Sequence, residues 1–410
     1  MRLLLRNCSI IDANEPAPRE NAHVIVEDGA IVEVGTGGAS GADETIDLGG
    51  SYLLPGLWDV HTHLKSGTWS GMPSYESPAE AVLTNGRNAM DALEAGVTSM
   101  RVVGVQGWAD VAWREAFASG RFTGPRLFCC GTILSPTAGH GASLVRASSG
   151  LTGDLDGPEA FVKAVRTNIK NGVDQTKLLT TGGIMGAGHD VMSAGMMLKQ
   201  EIEAAARISI QRGLPVAVHA TNPESVKWCV DAGAHSIEHG YILDEEAVRL
   251  MGERGVYYVP TLALSHLTAD QAATEHERAY CERNQLPDAF RERANRFAPR
   301  HEESLRMALD AGIKIASGSD QGPPRDAALL EIELLARCGL GAHGAIVAAT
   351  KHAAEICLAG DRLGTVEPGK LADLIAVRDN PLDDISNLRT LELVLKEGRI
   401  VVDRRGDGAK

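Results

Sequence analysis

The sequence lacks the features that mark membrane-spanning and secreted proteins. It contains no stretch of about 18 consecutive apolar residues, the length that a membrane-spanning helix needs. The segment Met1–Asn7 has too short an apolar run for a signal peptide, and no small-residue cleavage site follows it. These absences predict a soluble, cytoplasmic protein with no membrane partner.

Positive charge is also scarce. Lys and Arg number 40 against 54 Asp and Glu, which gives a formal net charge of −14, and the basic residues form no cluster. Such a chain repels phosphate backbones, which argues against nucleic-acid binding. The hydrophobic share of 44% and the charged share of 23% are ordinary for globular proteins and exclude disorder and fibrous repeats. We therefore expect a folded protein whose partner is a small-molecule substrate.

Two kinds of sequence motif are missing. No GxGxxG segment follows an early strand, which argues against a dinucleotide-binding doubly wound sheet. The cysteines include no CxxC pair, so reduced, buried thiols are favoured over disulfides or a thiolate metal site. The seven cysteines are Cys8, Cys129, Cys130, Cys229, Cys281, Cys338 and Cys357.

One local pattern recurs through the middle of the chain. A helix-compatible stretch ends in glycine, where the chain can turn through the left-handed region, and a β-rich run follows at once. The six glycines are Gly96, Gly172, Gly213, Gly233, Gly255 and Gly312. Two further strands, near residues 54–61 and 126–131, bring the number to eight. Eight strand–helix units over about 250 residues or a little more predict an α/β fold of the TIM (β/α)8 barrel type.

The two ends of the chain have a different pattern. Short antiparallel strands are predicted near residues 2–11 and 23–35, and again near 372–377 and 393–402. Neither end alone holds enough strands for a core, and chain termini are often close in space. We expect a small β-sandwich domain made of residues 1–54 with 365–410, and a barrel domain of residues 55–364.

Residues that can bind metal ions stand at the carboxyl ends of five predicted strands, where the active sites of barrels lie. They are His61, His63, Lys177, His219, His239 and Asp320. Neutral imidazoles and carboxylates are ligands that Zn²⁺ and related divalent ions prefer, whereas a lysine ammonium is not a ligand. Taken singly, each histidine could be a hydrogen-bonded core residue, and Lys177 could extend along the barrel rim.

The segment Pro55–His63 resembles the opening signature of the amidohydrolase superfamily, and the similarity continues in order over nearly the whole chain. The later matching segments are Lys177, Val218–Ala220, Ile237–Gly240, Ser317–Asp320, Leu363–Leu374 and Asn380–Leu382.

This resemblance implies a binuclear metal centre. It assigns His61, His63 and Asp320 to one divalent ion, His219 and His239 to the other, and a carboxylated Lys177 as the bridge. We expect Zn²⁺, with Mn²⁺ or Co²⁺ as alternatives that suit the oxygen-rich bridge. The implied reaction is attack of a metal-bridging hydroxide on an amide-type C–N bond, with Asp320 as general acid and base.

Four further segments, Gly124–Phe128, Gly139–Gly141, Thr180–Gly183 and Tyr258–Leu262, make the chain most similar to the prolidase-like and imidazolonepropionase-related group within the superfamily. That similarity implies a dipeptide or an N-acyl amino acid as substrate, with aryl amides as a further class. It also directs His140 toward the substrate. Tyr258, at the end of the seventh strand, and Arg325, which could bind a carboxylate, are further candidates. Ordinary loop, wall and surface roles stay open for these three, and His189 is one more candidate.

The sequence departs from this group after the fourth strand and after Asp320. Residues 194–198 read AGMML where a Tyr-Ser pair is common, and residues 321–326 read QGPPRD where a Gly- and His-containing segment is common. Two methionines at a pocket rim favour an apolar substrate, although a shielded helix start explains them equally well.

Three alternatives stay open. They are a urea or carbamate hydrolase on the same centre, a single-metal cyclic amidine or imidazolone hydrolase or deaminase, and a non-catalytic scaffold. By analogy with relatives, we expect a homo-oligomer.

Overall fold

The computed structural model describes residues 1–65, 78–140, 152–186 and 190–406. The strands in these ranges are β1 (Arg2–Ile10), β2 (Arg19–Glu27), β3 (Ala30–Thr36), β4 (Glu44–Asp47), β5 (Tyr52–Pro55), β6 (Leu57–Thr62), β7 (Val97–Val102), β8 (Arg126–Cys129), β9 (Ile133–Ser135), β10 (Thr152–Asp154), β11 (Thr176–Leu179), β12 (Val216–Ala220), β13 (Ser236–His239), β14 (Tyr257–Val259), β15 (Leu374–Val377), β16 (Leu391–Lys396) and β17 (Arg399–Asp403). The α-helices are α1 (Pro78–Glu94), α2 (Ala109–Ala118), α3 (Pro158–Lys170), α4 (Lys199–Gln211), α5 (Pro223–Asp231), α6 (Glu245–Arg254), α7 (Ala263–His266), α8 (Glu275–Arg283), α9 (Asp288–Asp310), α10 (Pro324–Leu335), α11 (Gly341–Ala348) and α12 (Lys351–Ile356).

The middle of the chain is an α/β fold with two parallel sheets. One sheet has the order β6-β7-β8, and the other has the order β10-β9-β11-β12-β13-β14. Seven of the eight predicted strands are present, whereas the three-residue strands β9 and β10 were not predicted because they are too short to show a pattern. All six glycines predicted to end helices have positive φ, between 64° and 93°.

The eighth predicted strand, near residues 313–316, forms one parallel bridge between Ile315 and Tyr258 instead of a regular strand. Backbone hydrogen bonds still connect its neighbourhood to both sheets, because Ala316 N donates to Tyr258 O at 3.0 Å and Val60 N donates to Ser317 O at 2.9 Å. Ser319 N instead donates to the Asp59 side chain, at 3.0 Å from Oδ1. A side-chain acceptor therefore replaces the strand ladder at this position.

Both ends of the chain contribute to one mixed sheet of eight strands. Its order is β17-β16-β15-β5-β1-β2-β3, and β4 pairs with β1 off this path. The strands are hydrogen-bonded as one continuous sheet, where the sequence predicted a sandwich. Leu5, Val24, Leu53, Leu374 and Leu393 are buried in a common core.

Strand β5 connects this sheet directly to β6 through Gly56. A Cβ atom at Gly56 would lie 2.1 Å from Thr98 Oγ1, so only glycine fits this close approach. The mixed sheet therefore leads directly into the first strand that carries predicted ligands.

All seven cysteines lie within the described residues and are free, as predicted; five are buried and two are partly exposed. In the ranges that the structure describes, no helix is long and apolar enough to cross a membrane.

Candidate metal centre

The strand ends bring His61, His63, Lys177 and Asp320 together. Asp320 Oδ1 lies 3.3 Å from His63 Nε2, and Asp320 Oδ2 lies 3.7 Å from His61 Nε2. Lys177 Nζ lies 3.4 Å from the same His61 nitrogen. A hydrogen bond of 2.7 Å from Asp320 N to His61 O fixes the two chain segments to each other.

The other two predicted ligands, His219 and His239, complete the cluster. The His219 and His239 rings are 4.4 Å apart between centroids, and the His61 and His239 rings are 4.8 Å apart. Donor atoms of His61, His239 and Asp320 all lie within 4.8 Å of one another. All six sequence-predicted residues therefore converge on one volume at the carboxyl ends of the parallel strands.

Hydrogen bonds orient each imidazole so that one nitrogen faces this volume. Nδ1 of His63 lies 2.8 Å from Gly104 O, and Nδ1 of His61 lies 2.7 Å from Glu238 Oε2. Because these partners accept hydrogen bonds, both Nδ1 atoms carry the proton and both Nε2 atoms carry a lone pair.

His239 and His219 are also oriented by a hydrogen bond from one ring nitrogen, but the nitrogen differs between them. His239 Nδ1 lies 2.7 Å from Thr261 Oγ1, whose own proton goes to Pro260 O. For His219 the anchored atom is Nε2, at 3.0 Å from Gly182 O, so its free lone pair is on Nδ1. Fixing the second nitrogen of the ring is what the surroundings of metal-bound histidines usually do.

Burial keeps the imidazoles uncharged. It lowers the pKa of His61 to about 4 and the pKa values of His219 and His239 well below the ordinary value. Burial favours the neutral form of Asp320, but the neighbouring charge of Lys65 holds the pKa of Asp320 well below its usual range. His61, His219 and His239 thus offer neutral imidazoles beside an ionised carboxylate at neutral pH.

Behind His61 lies a buried ion pair that the sequence analysis missed. Arg101 Nη2 lies 2.7 Å from both carboxylate oxygens of Glu238, and Arg101 Nη1 donates to Ser236 Oγ at 3.0 Å. Burial opposes ionisation of Glu238, but the Arg101 guanidinium and the His61 ring hold its pKa well below the ordinary value. The sequence contains one indication of a role for Glu238, because this residue directly precedes His239 in a segment already assigned to the site.

Two more missed residues support the Asp320 side of the cluster. The Asp59 carboxylate accepts hydrogen bonds from Ser319 Oγ at 2.6 Å and from His61 N at 3.1 Å, and so joins the two ligand-bearing segments. Lys65 Nζ lies 3.6 Å from Asp320 Oδ1. Asp59 lies inside the Pro55–His63 signature, so its position was available from the sequence although its role was not.

His140 lies directly beside the cluster. Its ring stacks on His219 at 4.5 Å between centroids, and its Nδ1 lies 2.5 Å from Asp190 Oδ2. Gly183 makes this stack possible, since a Cβ atom there would lie 2.7 Å from the His140 ring. His189 lies outside the described residues.

The remaining two candidates lie elsewhere. Tyr258 is fully buried, and its hydroxyl donates to the backbone carbonyls of His239 at 2.9 Å and Gly240 at 3.2 Å. In this position it holds the chain that carries His239. Arg325 is exposed in the first turn of α10.

Residues 52–401 match the family model described as "Amidohydrolase family". The chain belongs to the amidohydrolase family. It is a hydrolase that acts on carbon–nitrogen bonds. The family generally uses divalent metal ions, and the cluster of His61, His239 and Asp320 offers donors for one.

Individual relatives of this amidohydrolase agree with that assignment. It is 29% identical to the ochratoxinase of Aspergillus niger in an alignment of 359 positions that covers 81% of this chain and 71% of that protein. The structure of a Xaa-Pro dipeptidase with bound methionine in its active site has a TM-score of 0.86 and 29% identity, covering 98% of this chain and 100% of that one. A prolidase complexed with N-methylphosphonate-L-proline has a TM-score of 0.87 and 28% identity, with the same coverage.

Proposed function

We propose that this amidohydrolase cleaves the amide bond of a dipeptide or an N-acyl amino acid at a binuclear metal centre. The observation that carries the proposal is the convergence of the imidazole lone pairs of His61, His63, His219 and His239 beside ionised Asp320. Lone pairs gathered around a carboxylate are unfavourable, and divalent cations compensate them. The donor set of imidazoles and carboxylate suits Zn²⁺.

In this proposal, His61, His63 and Asp320 hold one ion, and His219 and His239 hold the other. Lys177 would bridge them as a carbamate formed with CO₂. Burial lowers the pKa of Lys177 to about 8, so more of its amine is in the uncharged form that reacts with CO₂. Its Nζ lies 3.4 Å from His61 Nε2. A carbamate on Lys177 would therefore stand beside a predicted ligand of the first ion.

The metal ions, Asp320 and His140 would have different roles in hydrolysis. Bound divalent ions supply Lewis acidity, which polarises a carbonyl group and lowers the pKa of water. Asp320 is placed to take the proton of the attacking water and to pass it to the departing nitrogen. His140, whose Nδ1 is held by Asp190, offers Nε2 to the substrate.

Apolar side chains beside His239 favour a substrate with an apolar group. Tyr241 stacks 5.7 Å from the His239 ring and belongs to a buried cluster with Ile184, Met185, Met192 and Leu264. Met197 is one of the two methionines for which a pocket rim and a shielded helix start were both open, and it is buried in the main core. We assign the apolar preference to the Tyr241 cluster because Tyr241 stacks on His239, a predicted metal ligand.

The proposal includes the domain organisation. We infer that the two parallel sheets and the segment 313–320 close into a (β/α)8 barrel of residues 55–364. Residues 1–54 and 365–410 would form the small domain. The hydrogen bonds from Ala316 to Tyr258 and from Val60 to Ser317 support closure at one side. At the other side, Asp174 N donates to Cys129 O at 2.8 Å.

Lys177 provides a sharp test of the centre. Lys177→Ala and Lys177→Arg should both abolish amide hydrolysis, because neither side chain can form a carbamate, although arginine keeps the positive charge. Activity of the wild-type enzyme, prepared without CO₂, should rise when bicarbonate is added with Zn²⁺. Full activity of Lys177→Arg would contradict the bridging role.

Amine release from a substrate panel tests the substrate class. The panel contains Xaa-Pro and other dipeptides, N-acyl amino acids, aryl amides, phenylureas and carbamates, supplied with Zn²⁺ and bicarbonate. We expect turnover of dipeptides or N-acyl amino acids, fastest for those with apolar side chains. Turnover confined to phenylureas or carbamates would overturn the substrate assignment and leave the metal centre intact.

A further inference from the structure

We propose that the enzyme has a second metal site, formed by His266, Glu302 and Cys338, that binds a thiophilic divalent ion such as Zn²⁺. One donor atom from each residue lies within 4.8 Å of the other two. None of the three belongs to the strand-end cluster, by which we mean His61, His63, Lys177, His219, His239 and Asp320. This second site therefore does not depend on the proposed function. It also departs from the sequence-based expectation that no cysteine serves a metal site.

Three separate elements bring these residues together. His266 ends the short helix α7, Glu302 lies on α9, and Cys338 lies in a π-helical segment, Ala336–Leu340, that follows α10. His266 is buried, Cys338 is partly exposed and Glu302 is exposed, so an ion can reach the site from solvent.

The hydrogen bonds of His266 leave a lone pair directed at Glu302. Nδ1 of His266 lies 3.2 Å from Leu262 O, which only accepts, so Nδ1 carries the proton in the neutral ring. Ser265 Oγ, 2.8 Å from the same atom, can also accept, because its own proton has a second acceptor in His301 Nδ1 at 2.8 Å.

Nε2 of His266 therefore faces Glu302 Oε1 at 2.9 Å as one acceptor facing another. A divalent ion bound by both atoms would resolve this conflict once they separate by a few tenths of an ångström. A proton could do so for two groups, but the third donor, Cys338 Sγ, makes the set a metal site. Imidazole, carboxylate and thiolate together match Zn²⁺, with water in a fourth position.

Binding at this site would release the thiol proton of Cys338 to solvent, because the thiolate is the ligand. Burial and the nearby charge of Glu302 raise the pKa of this thiol to about 12. The bound ion would tie α7, α9 and the π-helical segment to one another.

Co²⁺ distinguishes this site from the strand-end centre, which contains no cysteine. The full-length protein is dialysed against a chelator, checked for folding by circular dichroism, and titrated with Co²⁺ while thiolate-to-cobalt charge-transfer absorption is recorded. Zinc that resists dialysis is measured in the same samples. The variants are Cys338→Ser, His266→Asn and, as a control with a similarly exposed thiol, Cys357→Ser.

We expect the wild type and Cys357→Ser to show the charge-transfer band, or to retain one more zinc ion per chain than Cys338→Ser and His266→Asn. Both of those variants should lack the band. A band that persists in Cys338→Ser would overturn the proposal. So would a wild type with no band and no more zinc than Cys338→Ser. A Lys177 variant that loses amide hydrolysis but keeps the charge-transfer band would show that the two sites are independent. The loss of activity would then bear on the strand-end centre, and the band would still support the second site.

Discussion

Each imidazole of the metal centre depends on a hydrogen-bond acceptor outside the ligand set, and Glu238 is the most demanding of these acceptors. It is fully buried, accepts from His61 Nδ1 and pairs with Arg101 through both oxygens. A buried ion pair contributes little by itself, but removing one partner leaves an uncompensated charge. The orientation of His61 and the neutralisation of Arg101 therefore rest on the same carboxylate.

Glu238→Gln should weaken both stability and metal binding. It leaves Arg101 buried without a counter-charge, which costs about 3–5 kcal/mol of unfolding free energy. The weaker acceptor for His61 should reduce metal affinity by about 10–100-fold. Urea unfolding and competition with a chromogenic chelator measure the two effects.

Ser236→Ala is the matched control, because Ser236 contacts both Arg101 and Glu238 and leaves His61 untouched. It should lose some stability and keep the metal affinity of the wild type. Equal metal affinity in Glu238→Gln and the wild type would show that His61 needs no such orientation.

At the scale of elements, the chain turns sharply where the parallel strands end. Leu64, His239, Thr261 and Asp320 all have φ between 50° and 71°. Such conformations cost about 1–3 kcal/mol each for residues other than glycine, and they are known to cluster at functional sites. Here they occur at two ligand candidates, at the residue that orients His239, and close after His63.

The short helix α7, which follows Thr261, is held by a buried carboxyl group from α10. Glu331 accepts hydrogen bonds from Leu262 N at 2.9 Å and from Ala263 N at 2.7 Å. Burial raises the pKa of Glu331 from 4.5 to about 8. Between those values the native protein keeps a proton that the unfolded chain has released. Its contribution to stability is complete below about pH 4.5 and is lost as pH rises through about 8.

Glu331→Gln should therefore flatten the pH dependence of stability. The unfolding free energy of the wild type should fall more steeply between about pH 5 and 8 than that of the variant, by up to about 1.4 kcal/mol per pH unit. Urea unfolding of metal-depleted protein across this range is the measurement. Parallel curves for the two proteins would contradict the prediction.

Glu355→Gln is the contrasting control. Burial opposes ionisation of Glu355, but the Lys314 ammonium holds its pKa below the ordinary 4.5. Its contribution is present above pH 4.5 and is lost as pH falls, so this variant should match the wild-type slope between about pH 5 and 8.

The elements that the sequence predicted well are those with a local signal. Glycine after a helix and a ligand-type residue at a strand end are both visible in a few neighbouring residues, as Gly255 and His219 illustrate. Asp190 and Arg101 were missed because their roles arise from contacts across the fold, 50 residues from His140 and 137 residues from Glu238. The segment 313–316 was expected to be a regular strand because of its β-rich composition, but in the structure Ile315 forms a single bridge with Tyr258.

At the scale of the whole molecule, bound metal should contribute to global stability. Chelation should lower the thermal midpoint, and Zn²⁺ should restore it, since a ligand at 100 times its Kd stabilises the native state by about 2.7 kcal/mol. Calorimetry in a Cys338→Ser background confines the response to the strand-end centre. His239→Asn should show a smaller gain with Zn²⁺, and an equal gain would contradict the role of His239 as a ligand.

The pairing of β5 with β15 has a consequence for how the chain is made. Tyr52 lies opposite Val377, so more than 300 residues must be synthesised between these partners. At 5–20 residues per second, the first strands leave the ribosome roughly 15–65 s before their neighbour exists. During that interval β5 has an unpaired edge that can hydrogen-bond to another chain and cause aggregation. We therefore expect molecular chaperones to increase the yield of folded protein.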